Sequence, residues 1–217
     1  MTTSEENYLK TIYHLATSDG LTATTNAIAE RLETKASSVT DMLKKLSDKG
    51  LIIYKKYQAV QLTNEGLHLA KMVVRKHRLW EVFLVEKLNF SWDSVHDIAE
   101  QLEHIQSPEL IVRLDDFLGN PTQDPHGDPI PDAEGRLKKV DKQLLGDILP
   151  GDSCICVGVK DSSTSFLQYL NRVGISLGTK IEVLNREPFD LSVQIKIMET
   201  TYSVSAKMAA NLYVKKF

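Results

Sequence analysis

The sequence predicts a chain that is mainly α in its N-terminal two thirds and closes in a small all-β barrel. Three observations predict this. Apolar residues recur at helical spacing as far as about residue 118. Three helices and a basic-tipped hairpin follow one another in about 60 residues, the winged helix-turn-helix order. From Leu144 the pattern changes to short alternating runs.

In chain order, Tyr8, Leu9, Ile12, Tyr13, Leu15 and Ala16 predict a helix over 4–17, with Ser4 as its N-cap and Ser18-Asp19-Gly20 as its end. Thr25 or Asn26 caps a short helix to Leu32. Ser37 opens another to about Lys49, with Val39, Met42, Leu43 and Leu46 inward and Gly50 as C-cap. LIIYKK, a Tyr57-Gln58 tip and AVQLT read as the hairpin. Thr63 caps a long helix to about Leu88, despite Gly66. Helices from Trp92-Asp93 to Gln106 and from Ser107-Pro108 to Leu118 follow. The Pro- and Gly-rich stretch 119–135 reads as an extended linker. SCICVGV, TKIEVLN, SVQIKIM and YSVSAKM are the barrel strands. The expected domains are 1–63, 64–136 and 144–217.

Among 217 residues, 42% are hydrophobic and 25% charged, which is globular composition. No run of about 18 apolar residues spans a membrane, and MTTSEENYLK lacks a signal peptide's basic start and apolar run. Cys154 and Cys156 read as buried strand residues, not a disulfide framework. A cytoplasmic protein is expected. The net charge of −3 conceals a division: residues 1–78 carry 12 Lys/Arg against 8 Asp/Glu, residues 79–136 carry 3 against 13, and residues 137–217 carry 11 against 8. A basic first third suits a polyanion, and an acidic middle suits a cation. A pI near 6.1 argues against a protein that simply coats nucleic acid.

The acidic middle holds the chemistry. On the helix read over 93–106, His96, Glu100, Glu103 and His104 fall on one arc beside the apolar face. His77 and Glu81, four apart on the preceding helix, form a second pair, and an antiparallel arrangement brings the two stripes together. Carboxylates gathered this way repel unless a cation or proton intervenes. Oxygen and nitrogen ligands without thiolate suit Mn(II) or Fe(II) over structural zinc. Asp124 and His126 in the linker are further candidates. A plain solvated face with i,i+4 pairs is the bland alternative. In the winged helix, Lys35, Ser37, Ser38, Thr40 and Asp41 open the recognition helix, Lys44, Lys45 and Lys49 suit phosphates, and Lys55, Lys56 and Tyr57 sit at the wing.

NYLKTIY, IAERLETKASSVTDMLKKLSDKGLI, LTNEG, RKHRLWEVFL, VHDIAEQLEHI and DPHGDPIP together resemble the DtxR/MntR metal-dependent transcriptional regulators over essentially the full length. The resemblance implies a winged helix-turn-helix domain, a helical dimerisation and metal-binding domain, and an SH3-like domain. It implies a homodimer that binds double-stranded operator DNA once loaded with a divalent metal, and so controls metal-uptake genes. Carried over, one site would use Asn7, Glu100, Glu103 and His104. A second would use His77, Glu81 and His96, or Glu81 with Asp124, His126 and Asp161. The iron branch tends to have Cys at the position of Glu100 and Met at that of Asn7, whereas the manganese branch tends to have Glu and Asp. Glu100 therefore leans toward Mn(II), with Fe(II) second, and Asn7 matches neither branch. Two rivals stand beside this: a di-iron carboxylate enzyme, which needs a second Glu-x-x-His that the chain lacks, and a winged-helix regulator whose middle domain senses a non-metal signal.

Overall fold

The computed structural model describes residues 1–17, 22–56 and 58–217. The expected helix end at Ser18-Asp19-Gly20 and the wing residue Tyr57 lie outside them. The chain divides into two compact units, one of residues 1–77, 100–112 and 131–137 and the other of 78–99, 113–130 and 138–217.

The first unit opens with α1 (Thr3–Thr17), α2 (Thr25–Arg31) and α3 (Ala36–Asp48). The cap of α1 is Thr2, not Ser4. Its hydroxyl accepts the Glu5 amide at 3.3 Å while the Glu5 carboxylate accepts the Thr2 amide at 3.0 Å, a reciprocal capping box. Thr24, one residue before the expected cap, accepts the Ala27 amide at 3.2 Å. Lys35 occupies the N-cap of α3 without a side-chain bond, so Ser37 lies inside the helix. Gly50 has φ +72°, which suits its place past α3. A short hairpin follows, β1 (Ile52–Ile53) antiparallel to β2 (Gln61–Leu62). Leu9, Ile12, Ile28, Val39, Leu43 and Leu46 are fully buried in one core, joined by Ala70 and Val74 from α4 (Asn64–Leu88). Gly66 has a packing reason: a Cβ there would stand 1.9 Å from the Leu51 carbonyl oxygen. Thr63 caps α4 by accepting the Gly66 amide at 3.1 Å.

The helix read over 93–106 is shorter. α5 spans His96–Leu102, and Glu103 and His104 fall in the turn beyond it. The apolar period runs on through Ile105, but Trp92 is spent on the second unit's core and the chain leaves the helix before residue 103. The single His/Glu stripe is therefore split. α6 (Pro108–Phe117) follows.

The second unit carries a six-stranded antiparallel sheet in the order β3-β8-β4-β5-β6-β7. Its strands are β3 (Gln143–Leu144), β4 (Ser153–Val159), β5 (Lys180–Arg186), β6 (Val193–Ile197), β7 (Thr200–Val204) and β8 (Leu212–Lys216). Cys154 and Cys156 are buried on one face of β4 as unbridged cysteines, and burial pushes both thiols up to about 11. Two helices here were not expected. α7 (Thr164–Val173) buries Leu167, Leu170 and Val173, and α8 (Ala206–Ala209) takes the second half of YSVSAKM, capped by Ser205. No helix among the described residues is long and apolar enough to cross a membrane.

Candidate metal centre

In the first unit α1 presents Glu6 and Lys10, four residues apart and so on one face, to the segment after α5. Glu6, 3% exposed, accepts from His104 Nδ1 at 2.5 Å, from Gln106 Nε2 at 2.9 Å and from Lys76 Nζ at 3.3 Å. Burial pushes this carboxyl up, but those three donors outweigh it and hold it below the usual range. With Nδ1 engaged by Glu6, Nε2 is the nitrogen of His104 turned toward Glu103. That nitrogen stands 3.7 Å from Glu103 Oε1.

Glu103 is 1% exposed. Its Oε2 accepts from His77 Nδ1 at 2.6 Å and from Lys10 Nζ at 2.7 Å. Its Oε1 is buried and has no hydrogen-bond partner among the described residues. A buried carboxylate oxygen with no hydrogen-bond partner is costly and calls for positive charge beside it, and His104 Nε2 is the nearest potential ligand atom. Two ligand atoms each about 2.1–2.2 Å from one ion lie no more than about 4.4 Å apart, so the 3.7 Å gap fits a divalent cation held by Glu103 and His104. Glu100, on the last turn of α5 and half exposed, meets Lys10 at 3.1 Å. Asn7 is half-buried on α1 and makes no hydrogen bond to Glu100, Glu103 or His104.

The second unit holds another cluster. One ligand atom each of Glu81, Asp124 and His126 lie within 4.8 Å of one another, and all three residues are buried. The segment 119–135, read as a linker, is pinned instead. The Val159 amide donates to the His126 carbonyl at 2.9 Å. Gly127, φ +84°, lies so close to β4 that a Cβ would stand 2.2 Å from the Val157 carbonyl oxygen. Asp124 Oδ1 accepts the His126 and Asp128 amides at 2.8 and 3.0 Å, and Arg78 Nε stands 3.4 Å from Oδ2. His126 stacks on Trp92 and donates Nε2–H to the Trp92 carbonyl at 2.8 Å. This turns Nδ1 toward Glu81 at 3.7 Å and Asp124 at 3.9 Å.

Burial and the charges of Glu81 and Asp128 push Asp124 up to about 7. Burial would lower His126, but the Glu81 and Asp124 carboxylates outweigh it and raise it to about 9. Both directions mark a pocket short of positive charge. His96 Nδ1 lies 3.6 Å from Glu81 Oε1, with the His96 side chain 60% exposed. Asp161 does not join this cluster. It accepts the Ser163 amide at 2.9 Å ahead of α7.

Lys35 at the N-cap of α3 and Ser37, Ser38, Asp41 and Lys44 on it are exposed, as are Lys55 and Lys56 at the wing. Thr40 donates to the Ala36 carbonyl at 2.9 Å, and Lys44 pairs with Asp41 at 3.3 Å. Lys45 and Lys49 reach Glu5, fully buried on α1, at 3.0 and 2.6 Å. Glu6, Lys10, Arg78 and Trp92 were not foreseen as site residues. The available signal was the i,i+4 placement of Glu6 and Lys10 around Asn7.

Family models match three stretches. They are the iron dependent repressor N-terminal DNA binding domain over residues 1–60, the iron dependent repressor metal binding and dimerisation domain over 63–132, and the FeoA domain over 143–216. The iron-dependent repressor IdeR of Mycobacterium leprae is 39% identical over 126 residues, 58% of this chain and 54% of that protein. The chain thus matches about half the length of that relative. The diphtheria toxin repressor of Corynebacterium efficiens is 30% identical over 192 residues, 84% of this chain and 83% of that protein. A solved manganese-dependent transcriptional repressor, in complex with manganese, superimposes with a TM-score of 0.84 at 35% identity, covering 98% of this chain and 100% of that one.

Proposed function

The chain belongs to the DtxR/MntR family of metal-dependent DNA-binding regulators, and on that premise we propose that it is a cytoplasmic, homodimeric repressor that binds operator DNA when loaded with Mn(II). Fe(II) is the second choice of metal. The observation that carries the reading is the buried, unpartnered Glu103 Oε1 facing His104 Nε2. Glu103 and His104, with Glu100 beside them, would hold the ion, which when bound supplies the positive charge this pair lacks. An all-oxygen-and-nitrogen set rich in carboxylate favours Mn(II) over softer metals. Asn7 would have to turn toward the cluster to add its amide oxygen. Glu81, Asp124 and His126 would form a second, separate site.

The chain's own residues then link site to DNA. Glu6 fixes the ring of His104, and its neighbour Glu5 grips Lys45 and Lys49 on α3. Two consecutive carboxylates on α1 therefore tie the metal ligands and the recognition helix to one rigid rod. Whatever steadies α1 against Glu103 and His104 also steadies α3. In a dimer, that sets the spacing of two recognition helices against major grooves one turn, about 34 Å, apart. Lys35 at the N-cap of α3 and Ser37, Ser38, Thr40, Asp41 and Lys44 within it would meet the groove and its phosphates, with Lys55 and Lys56 at the wing. Lys45 spends part of its charge on Glu5.

Fluorescence anisotropy on the promoter of a metal transporter or of the chain's own gene tests this. The titration runs with chelator, then Mn(II), anaerobic Fe(II), Zn(II) and Mg(II). Binding that requires Mn(II) supports the proposal. Equal binding with chelator and with every metal would leave a DNA-binding protein that senses something else.

A further inference from the structure

Lys10 already occupies one cation seat in the cluster. Its ammonium, on a side chain only 11% exposed, stands 2.7 Å from Glu103 Oε2, 3.1 Å from Glu100 Oε1 and 3.4 Å from His77 Nδ1. Three groups of the kind that ligate metals thus surround a single tethered positive charge. The short His77–Glu103 contact of 2.6 Å places a proton on His77 Nδ1, so that nitrogen does not accept from Lys10 and the ammonium is held by the two carboxylates. The other half of Glu103, Oε1, points at His104 and is left out of this arrangement.

We propose that Lys10 is a built-in substitute for a second divalent ion, limiting the Glu100–Glu103–His104 cluster to a single metal. The inference rests on the metal reading above and concerns how many ions the cluster takes. The charge count supports it. Glu6, Glu100 and Glu103 bring three negative charges and Lys10 and Lys76 two positive ones, so these five side chains sum to one negative. One divalent ion at Glu103 and His104 takes it to one positive. A second ion, placed where the ammonium sits, would have to displace Lys10 from its two carboxylates, or add two more charges beside it. Either is unfavourable in a largely buried site. Without the ammonium, these side chains start at two negative, and Glu100 and Glu103 Oε2 flank an empty cation seat.

The test is a Mn(II) titration of the full chain, read by the electron paramagnetic resonance of free and bound ion. Parent, Lys10→Met and Lys10→Arg are compared, with Lys10→Gln as a second neutral variant and circular dichroism to confirm the fold. The parent is expected to show only uncoupled Mn(II). Lys10→Met and Lys10→Gln are expected to bind one more ion per chain and to show the spectrum of a spin-coupled pair, while Lys10→Arg keeps the parent count. An unchanged count without coupling in both neutral variants makes Lys10 an ordinary ion-pair residue and overturns the proposal. A coupled pair already present in the parent overturns it as well. A parent that binds no Mn(II) at all removes the metal reading, and this inference with it.

Discussion

Glu6 is the carboxylate whose loss reports most sharply on how the centre is built. In a Glu6→Gln variant the side chain keeps its shape and loses its charge. It then faces His104 Nδ1 at 2.5 Å, Gln106 at 2.9 Å and Lys76 at 3.3 Å in a place where it is 3% exposed. A charge-assisted bond contributes about 1.5–3 kcal/mol and a neutral one about 0.5–1.5. The exchange therefore weakens the hold on His104 by about 1–2 kcal/mol. Because that hold keeps Nε2 as the nitrogen facing Glu103, Mn(II) affinity should fall about 10–100-fold, the range for a carboxylate that orients a ligating histidine. Lys76 also loses its partner, so the metal-free protein should melt a few degrees lower. Titrating Mn(II) against the loss of free-ion resonance gives the affinity, and thermal melts in chelator give the stability. A variant that melts lower yet binds Mn(II) within twofold of the parent would refute the orienting role. Glu6 would then be a structural ion-pair residue only.

Other consequences are equally concrete. Glu5 is held at about 2, chiefly by Lys49, then by the Thr2 amide and Lys45, so its contribution is complete above its ordinary value near 4.5 and is lost as pH falls toward 2. A Glu5→Gln variant should lose roughly 1–2 kcal/mol at neutral pH, discounted because both lysines are about half exposed. Chemical denaturation at pH 7 and pH 3 should show that gap narrowing in acid. Gly66→Ala should cost about 1–3 kcal/mol or more, because its Cβ meets the Leu51 carbonyl, and an unchanged melting temperature would contradict the packing. In metal-free protein the His126 ring proton should titrate by nuclear magnetic resonance near 9, and a Glu81→Gln variant should move that midpoint down. Since its folded value is raised, the stability from His126 is present below about 6.5 and lost as pH rises through about 9.

Much of the fold was legible because it is written in apolar spacing. Leu9 and Ile12, Leu43 and Leu46, and the alternating Cys154 and Cys156 all lie inside, where the pattern put them. The sequence did not reveal where α5 ends. Ile105 continues the apolar period, yet Glu103 and His104 leave the helix after Leu102. α7 was missed between well-marked strands, although Leu167, Leu170 and Val173 follow helical spacing. The acid and imidazole residues of the site were legible as types, because their crowding is electrostatically expensive. The grouping of Glu81 with Asp124 and His126 was expected from the resemblance, and the fold brings those three together without Asp161. Lys10 looks like any lysine on an exposed helix until the fold closes carboxylates around it. Asp124 and His126 were legible as candidates but placed on a linker, whereas Gly127 brings their loop against β4.

The central claim is that one divalent ion sits between Glu103 and His104. Crystals grown with Mn(II) and recorded at the manganese absorption edge test it directly. The expected result is an anomalous peak about 2.1–2.2 Å from both Glu103 Oε1 and His104 Nε2, with Glu6 still on His104 Nδ1. Ordered manganese elsewhere, with no peak at this pair in a fully loaded crystal, would contradict it.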